Sequence, residues 1–345
     1  MKKILLLSAL FCLMQNIDAQ KFIYDVDFQT YFDNREYHTD YSPSKTFFGM
    51  HLTPSVGLQL NDSAGGVHRL IAGATYIQPF GTGWRDVTVL PTVFYSYLNK
   101  GFTLNFGTVP YSKMTSRLPA IFRRSSAYYS NPNIQGALFQ YKNKIGFVEF
   151  LCDWRGLQSA DTRENFVLIL NGRANYKWFY GGGVVQMNHL ANYGAPTPEV
   201  GVCDDALVNP FVGVDFGGKT LFSELYLQAG YVIGYQRDRK AQQRYTPQGL
   251  LVDFAIKWRW LSLKNNFYFG ENMFPFYQTY KSALYWGDPM YQLTEKVFNT
   301  TDISFDLFKK DFVSAKFSWQ FQAVHGHQLG HRQLLTLNFD LEKIR

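Results

Sequence analysis

The chain has 345 residues, of which 18% are charged and 18% aromatic, with a formal net charge of +7. Ordinary soluble domains carry about 25% charged residues, so this balance argues against a typical soluble domain and fits a protein whose outer belt meets lipid. The positive charge of an exported chain suits anionic lipopolysaccharide or anionic solutes better than nucleic acid.

Met1 to Ala19 opens with Lys2 and Lys3 and continues through the apolar run Ile4 to Met14. It ends in Ile17-Asp18-Ala19, the pattern of a secretory signal peptide, so one mature domain is expected over residues 20–345. Phe11 before Cys12 does not suit a lipidation site, and no lipid anchor is expected. Beyond the leader, the longest uncharged run is Trp178 to Pro198. Gly181, Gly182, Gly183, Asn188, Asn192, Pro196 and Pro198 make it a poor membrane helix. A membrane-spanning form would therefore be a barrel.

Candidate strands begin at about residues 22–32, 47–60, 67–78, 85–98 and 101–109 and recur to the end of the chain, about sixteen in all, with fourteen or eighteen as neighbouring counts. The clearest are the last two. Val313, Ala315, Phe317, Trp319, Phe321 and Ala323 alternate with Ser314, Lys316, Ser318, Gln320 and Gln322, and Leu335 to Glu342 repeats the pattern. Successive side chains of a strand point to opposite faces, so each segment has a greasy face and a wet one. The joints alternate in length. Short ones such as Asn61 to Gly66, Asn99-Lys100, Asn143-Lys144 and Lys309 to Asp311 interleave with long ones such as Asp33 to Thr46, Pro110 to Asn133, Leu190 to Val208, Gln236 to Pro247 and Gly270 to Val297. Such interleaving, with both termini on the short-turn side, predicts an all-β transmembrane antiparallel up-and-down barrel in the bacterial outer membrane.

The wet face carries acids and bases together, among them Asp25, Asp27, Arg69, Glu149, Asp153, Arg173, Glu224, Lys257, Lys264, Asp306 and Lys316. Facing lipid near the midplane, a charge would cost about 2 to 4 kcal/mol, which assigns these residues to the lumen. They line either an open, weakly selective pore or a closed lumen cross-linked by opposite charges.

In this alternation and hairpin rhythm the chain resembles the outer-membrane porins and porin-like barrels over essentially its whole mature length. In sixteen-stranded members the loop after the fifth strand folds into the lumen. The matching segment here, Pro110 to Asn133, carries Lys113, Arg117, Arg123 and Arg124 and no acid. The resemblance implies a constriction by four positive charges, which would favour anions. No acidic motif in that loop faces the arginines.

Other features are weighed against this reading. Gly270 to Gln292 holds Phe274, Tyr277, Tyr280, Tyr285, Trp286 and Asp288, either a sugar-binding surface of flat rings beside carboxylates or the small core that a long outside loop needs. His189, His325, His327 and His331 fall near strand tops, but no Gly-x-Ser-x-Gly elbow and no evident Ser partner accompany them. Asp204-Asp205 could hold a divalent cation against lipopolysaccharide, and His325-Gly326-His327 with His331 a transition metal; solvated loop groups explain both. Cys152 and Cys203 are the mature cysteines, and nothing in the sequence brings them together.

The expectation is thus a non-catalytic pore for passive or weakly anion-selective diffusion of small hydrophilic solutes, in contact with membrane lipids and lipopolysaccharide and without cofactor, metal or nucleic acid. A homo-oligomer is left open. The alternatives are a closed barrel binding a glycan or a partner protein through its aromatic loops, and, third, a lipid-modifying enzyme.

Overall fold

Closing the sheet gives every alternating strand one apolar and one polar face and leaves no open edge, and the computed structural model of the chain does so. The structure describes residues 21–39, 44–194, 201–294, 296–325 and 327–342; the expected leader lies outside them. Sixteen antiparallel strands close into a barrel. They are β1 (Lys21–Tyr37), β2 (Lys45–Asn61), β3 (Val67–Pro79), β4 (Thr88–Asn99), β5 (Phe102–Pro110), β6 (Asn133–Lys142), β7 (Gly146–Gly156), β8 (Asn165–Tyr176), β9 (Phe179–Leu190), β10 (Cys203–Asp215) and β11 (Glu224–Asp238), followed by β13 (Gln248–Trp258), β14 (Leu261–Gly270), β15 (Val297–Lys309), β16 (Val313–Val324) and β17 (His327–Glu342). A short extra strand, β12 (Gln243–Tyr245), folds back on the top of β11. Each strand pairs with its neighbours in sequence, and β17 returns to β1 from Asp25↔Glu342 to Tyr37↔Gly330.

Turn chemistry sets the short end. Lys100 and Gly101 both have positive φ, at 45° and 90°, between the paired residues Asn99 and Phe102. That is the two-residue turn whose twist matches a hairpin. A Cβ on Gly101 would come within 2.3 Å of the Lys142 carbonyl oxygen, so the position needs glycine twice over.

The first long loop is shorter than the sequence suggests. Residues Asp33 to Tyr37, expected to open it, continue β1, and β2 begins at Lys45. The cause lies on the lumen side: Asp33 is fully buried and accepts from Arg35 and from Arg332 of β17, the latter at 2.6 and 2.7 Å. Charges anchored there hold the strands together above the apolar band. Removing one partner of a buried pair strands the other, at about 3–5 kcal/mol. Arg332→Ala is accordingly expected to lower the urea midpoint of the refolded barrel, and an unchanged midpoint would remove the pair from the account of stability.

Other lumen charges are paired as well. Lys264 bonds Glu224 at 2.8 Å, Arg173 bonds Asp215 at 2.8 Å, and Lys257 meets Asp306. The outer wall is apolar, with Leu70, Phe106, Val212 and Leu227 among its exposed side chains. Cys152 lies on that wall and Cys203 faces inward; both are free.

Candidate functional site on the lipid-facing wall

The segment between β5 and β6 folds into the barrel, where Ile121 and Phe122 are completely buried. Its four cations do not form a ring. Lys113 and Arg117 line a lumen cavity of about 340 Å³. Arg123, 2% exposed, has its guanidinium caged by Tyr111, Tyr128 and Trp286 at 3.5, 4.3 and 4.4 Å from the ring centres. Arg124 donates its backbone N–H to the Trp286 carbonyl at 2.9 Å.

Trp286 belongs to the aromatic loop between β14 and β15, which meets the segment between β5 and β6 to make a roof. Asp288 donates its backbone N–H to Ala120 and caps Met290. Phe274, Tyr285 and Trp286 are buried, Tyr277 packs on them, and Tyr280 reaches Asp238. Burial pushes the Tyr285 phenol far above its ordinary range, so it serves as a neutral donor to Gln236. The rings named in the sequence as a sugar platform are turned onto one another. The lumen below is polar, with a cavity of about 570 Å³.

The outer wall breaks its apolar pattern in one row. Trp154, Phe166, His189, Asp204, Arg237 and Arg244 are successive Cα partners across β7, β8, β9, β10, β11 and β12. Their sequence neighbours Asp153, Asn188, Asp205 and Gln236 are buried on the lumen side, so alternation sends this row outward. On β9 the outward residues below His189 are Met187, Val185, Gly183, Gly181 and Phe179. Ten residues of strand are about 33 Å, or about 25 Å of height at a tilt of ~40°, the full apolar band of such a barrel. His189 therefore stands at the outer membrane–water interface, beside the ester and phosphate level of the outer leaflet.

His189 is held on two sides. Its Nδ1 lies 2.7 Å from Asp204 Oδ1, and its ring stacks on Phe166, with centres 4.9 Å apart. Phe166 stacks in turn on Trp154 at 5.0 Å. A carboxylate can only accept, so Nδ1 carries the hydrogen and the lone pair falls on Nε2. The other Asp204 oxygen accepts from Arg239 Nε and Nη2 at 3.0 and 2.8 Å. This is an oriented base, its acid and a guanidinium behind the acid. The sequence offered His189 and Asp204 separately, as a strand-top histidine and half of an acidic pair. Their outward parity on adjacent strand ends was the available clue.

A second polar break lies at the barrel seam. Thr46 Oγ1 donates to Asn34 Oδ1 at 2.7 Å, and Asn34 Nδ2 donates to Glu36 at 3.1 Å and to Gln333 at 3.4 Å. His331, the Cα partner of Glu36, packs edge-on to Trp319. Its buried Nδ1 has no partner among the described residues, so no histidine–acid pair forms there.

A closed barrel with an apolar outer wall is an outer-membrane protein, and the histidine–acid pair on that wall faces lipid from the side. A sequence profile agrees: residues 14–344 match the family described as "Lipid A 3'-O-deacylase-type". The chain belongs to that family, and it resides in the bacterial outer membrane. This corrects the expectation of a non-catalytic barrel, since the family is one of enzymes. No curated protein sequence matches the chain. Among solved structures it is similar to OmpT of Vibrio cholerae in trimer form, at TM-score 0.58 and 9% identity over 94% of this chain and 100% of that one. It is also similar to OccK2 of Pseudomonas aeruginosa, solved with glucuronate, at TM-score 0.53 and 9% identity over 95% and 99%. At these identities the likeness is one of fold.

Proposed function

We propose that this protein removes an acyl chain from lipid A in the outer leaflet by hydrolysing an ester at the wall around His189. The observation that carries this reading is the His189–Asp204 pair, formed at 2.7 Å on the lipid-facing side at ester depth, in a member of a deacylase family. His189 Nε2 takes a proton from water as the water oxygen bonds to the ester carbon. Asp204 stabilises the imidazolium, and Arg239 keeps the carboxylate in place. When the carbon–oxygen bond breaks, Nε2 returns the proton to the departing sugar oxygen, leaving a fatty acid and a free hydroxyl. The outward strip Met187, Val185, Gly183 and Gly181 gives the acyl chain a smooth wall to lie on.

The seam is a second location for the same chemistry, favoured by the Thr46 hydroxyl held by Asn34 beside Glu36. Solute diffusion has less support, because the two loops of the roof are bonded to each other across the lumen. The test is mass spectrometry of purified lipid A incubated with the refolded protein in mixed micelles. Loss of one acyl mass supports the reading, and unchanged lipid A would remove it. Loss that disappears in Thr46→Val but persists in His189→Ala would move the chemistry to the seam.

A further inference from the structure

We infer that Arg237 and Arg244 form a clamp for a phosphate monoester on the headgroup of an outer-leaflet glycolipid, held beside His189. The inference deepens the reading of the site as a lipid A deacylase and rests on it for the choice of lipid. Arg237 and Arg244 are Cα partners in the outward row and are exposed. The Arg244 guanidinium lies over the outward ring of Tyr235, 5.0 Å from its centre, which fixes its direction. The nearby Arg239 is neutralised by Asp204; among the described residues, Arg237 and Arg244 have no acidic partner. Like charges on directly opposed cross-strand positions repel unless an anion joins them, and the forked N–H groups of arginine match a phosphate's oxygens.

The wall beneath says which anion. Tyr231, Ile233 and Tyr235 are the outward residues of β11 under Arg237, all exposed to the apolar band. A free nucleotide or nucleic acid has nothing to place there, whereas a glycolipid has acyl chains. Strands lie about 4.8 Å apart, so Arg237 and Arg244 stand about 10 and 14 Å along the row from His189. That separation fits a phosphate and an acyl ester carried on one sugar or on adjoining sugars. The clamp thereby selects which acyl chain meets His189: one within a sugar's width of the phosphate.

Binding tests this without turnover. The refolded full chain, exchanged into nanodiscs, is presented with bisphosphorylated lipid A, with dephosphorylated lipid A, or with phosphatidylglycerol, and the lipid retained is measured by native mass spectrometry. The wild type is expected to retain bisphosphorylated lipid A at least about tenfold better than the dephosphorylated form, and Arg237→Gln/Arg244→Gln to erase that preference. Unaltered heat-modifiable migration would show that the double variant is folded. Equal retention of the two lipid A forms by the wild type, or a preference that survives in the double variant, overturns the clamp. Equal retention of phosphatidylglycerol overturns its assignment to a glycolipid phosphate. If phosphate-dependent binding is present but no acyl chain is ever released, the clamp stands and the hydrolytic reading falls.

Discussion

Alanine at position 189 is expected to lower acyl release from lipid A by about 10²- to 10⁴-fold, the usual contribution of a positioned general base. The variant keeps the fold, because His189 sits on the outer wall and its loss opens no lumen cavity. Asp204→Asn is expected to act nearly as strongly while preserving shape. The asparagine amide can turn its NH₂ toward the ring, which places the hydrogen on Nε2 and leaves no lone pair to accept a proton from water. Arg239→Gln should be milder, since Asp204 keeps its bond to His189 and loses only the guanidinium behind it. The series is read as single-turnover rates with lipid A in mixed micelles. Wild-type rates in both His189→Ala and Asp204→Asn would exclude the pair as the reacting centre. Equal loss in all three would mean that Arg239 does more than hold an acid.

Much of the scaffold behind this site is legible in the chain because it depends on local rules. Alternation through β16 and β17 and the Asn and Gly turns are set by neighbouring residues, and the long-short order of connections can be read directly along the chain. They lead to the observed closed sheet of sixteen antiparallel strands. What escaped is long-range. His189 and Asp204 are fifteen residues apart in sequence, on either side of an outside loop, and only the β9–β10 register makes them neighbours. The same holds for Arg123 and Trp286, which meet because two loops fold into one lumen. The resemblance to porins implies one constriction shared by all four cations of the segment between β5 and β6; the structure puts Lys113 and Arg117 on a lumen cavity and Arg123 in an aromatic cage. A serine motif is no guide to such chemistry, because hydrolysis by a histidine that activates water needs no serine nucleophile.

The roof leads to the second large effect, and here the two loops act together. Wild-type protein in a planar bilayer is expected to give no stable conductance steps, because the loops are joined by backbone bonds from Arg124 to Trp286 and from Asp288 to Ala120. Ser125 and Tyr129 are tied to the wall through Arg332, and Phe122 through Gln186. Trp286→Ala deletes the plate on which Arg123 and Arg155 both rest, at 4.4 and 3.1 Å from the ring centre. Truncating a buried Trp costs about 3–5 kcal/mol, and leaving two guanidinium groups without their ring adds to it. The cost falls on the roof, since the strand ladder below is untouched, so the variant should remain heat-modifiable and begin to conduct. Arg123→Met separates charge from packing: it fills much of the same volume without the cation–π contacts to Tyr111, Tyr128 and Trp286, and should open the roof less often than Trp286→Ala. Stable wild-type conductance would show that the lumen passes ions around the joined loops. A silent Trp286→Ala barrel would show that the backbone bonds close it without the cage. Either result leaves the outer wall intact, because His189 and its partners Phe166 and Asp204 face the lipid and, among the described residues, bond one another and not the roof.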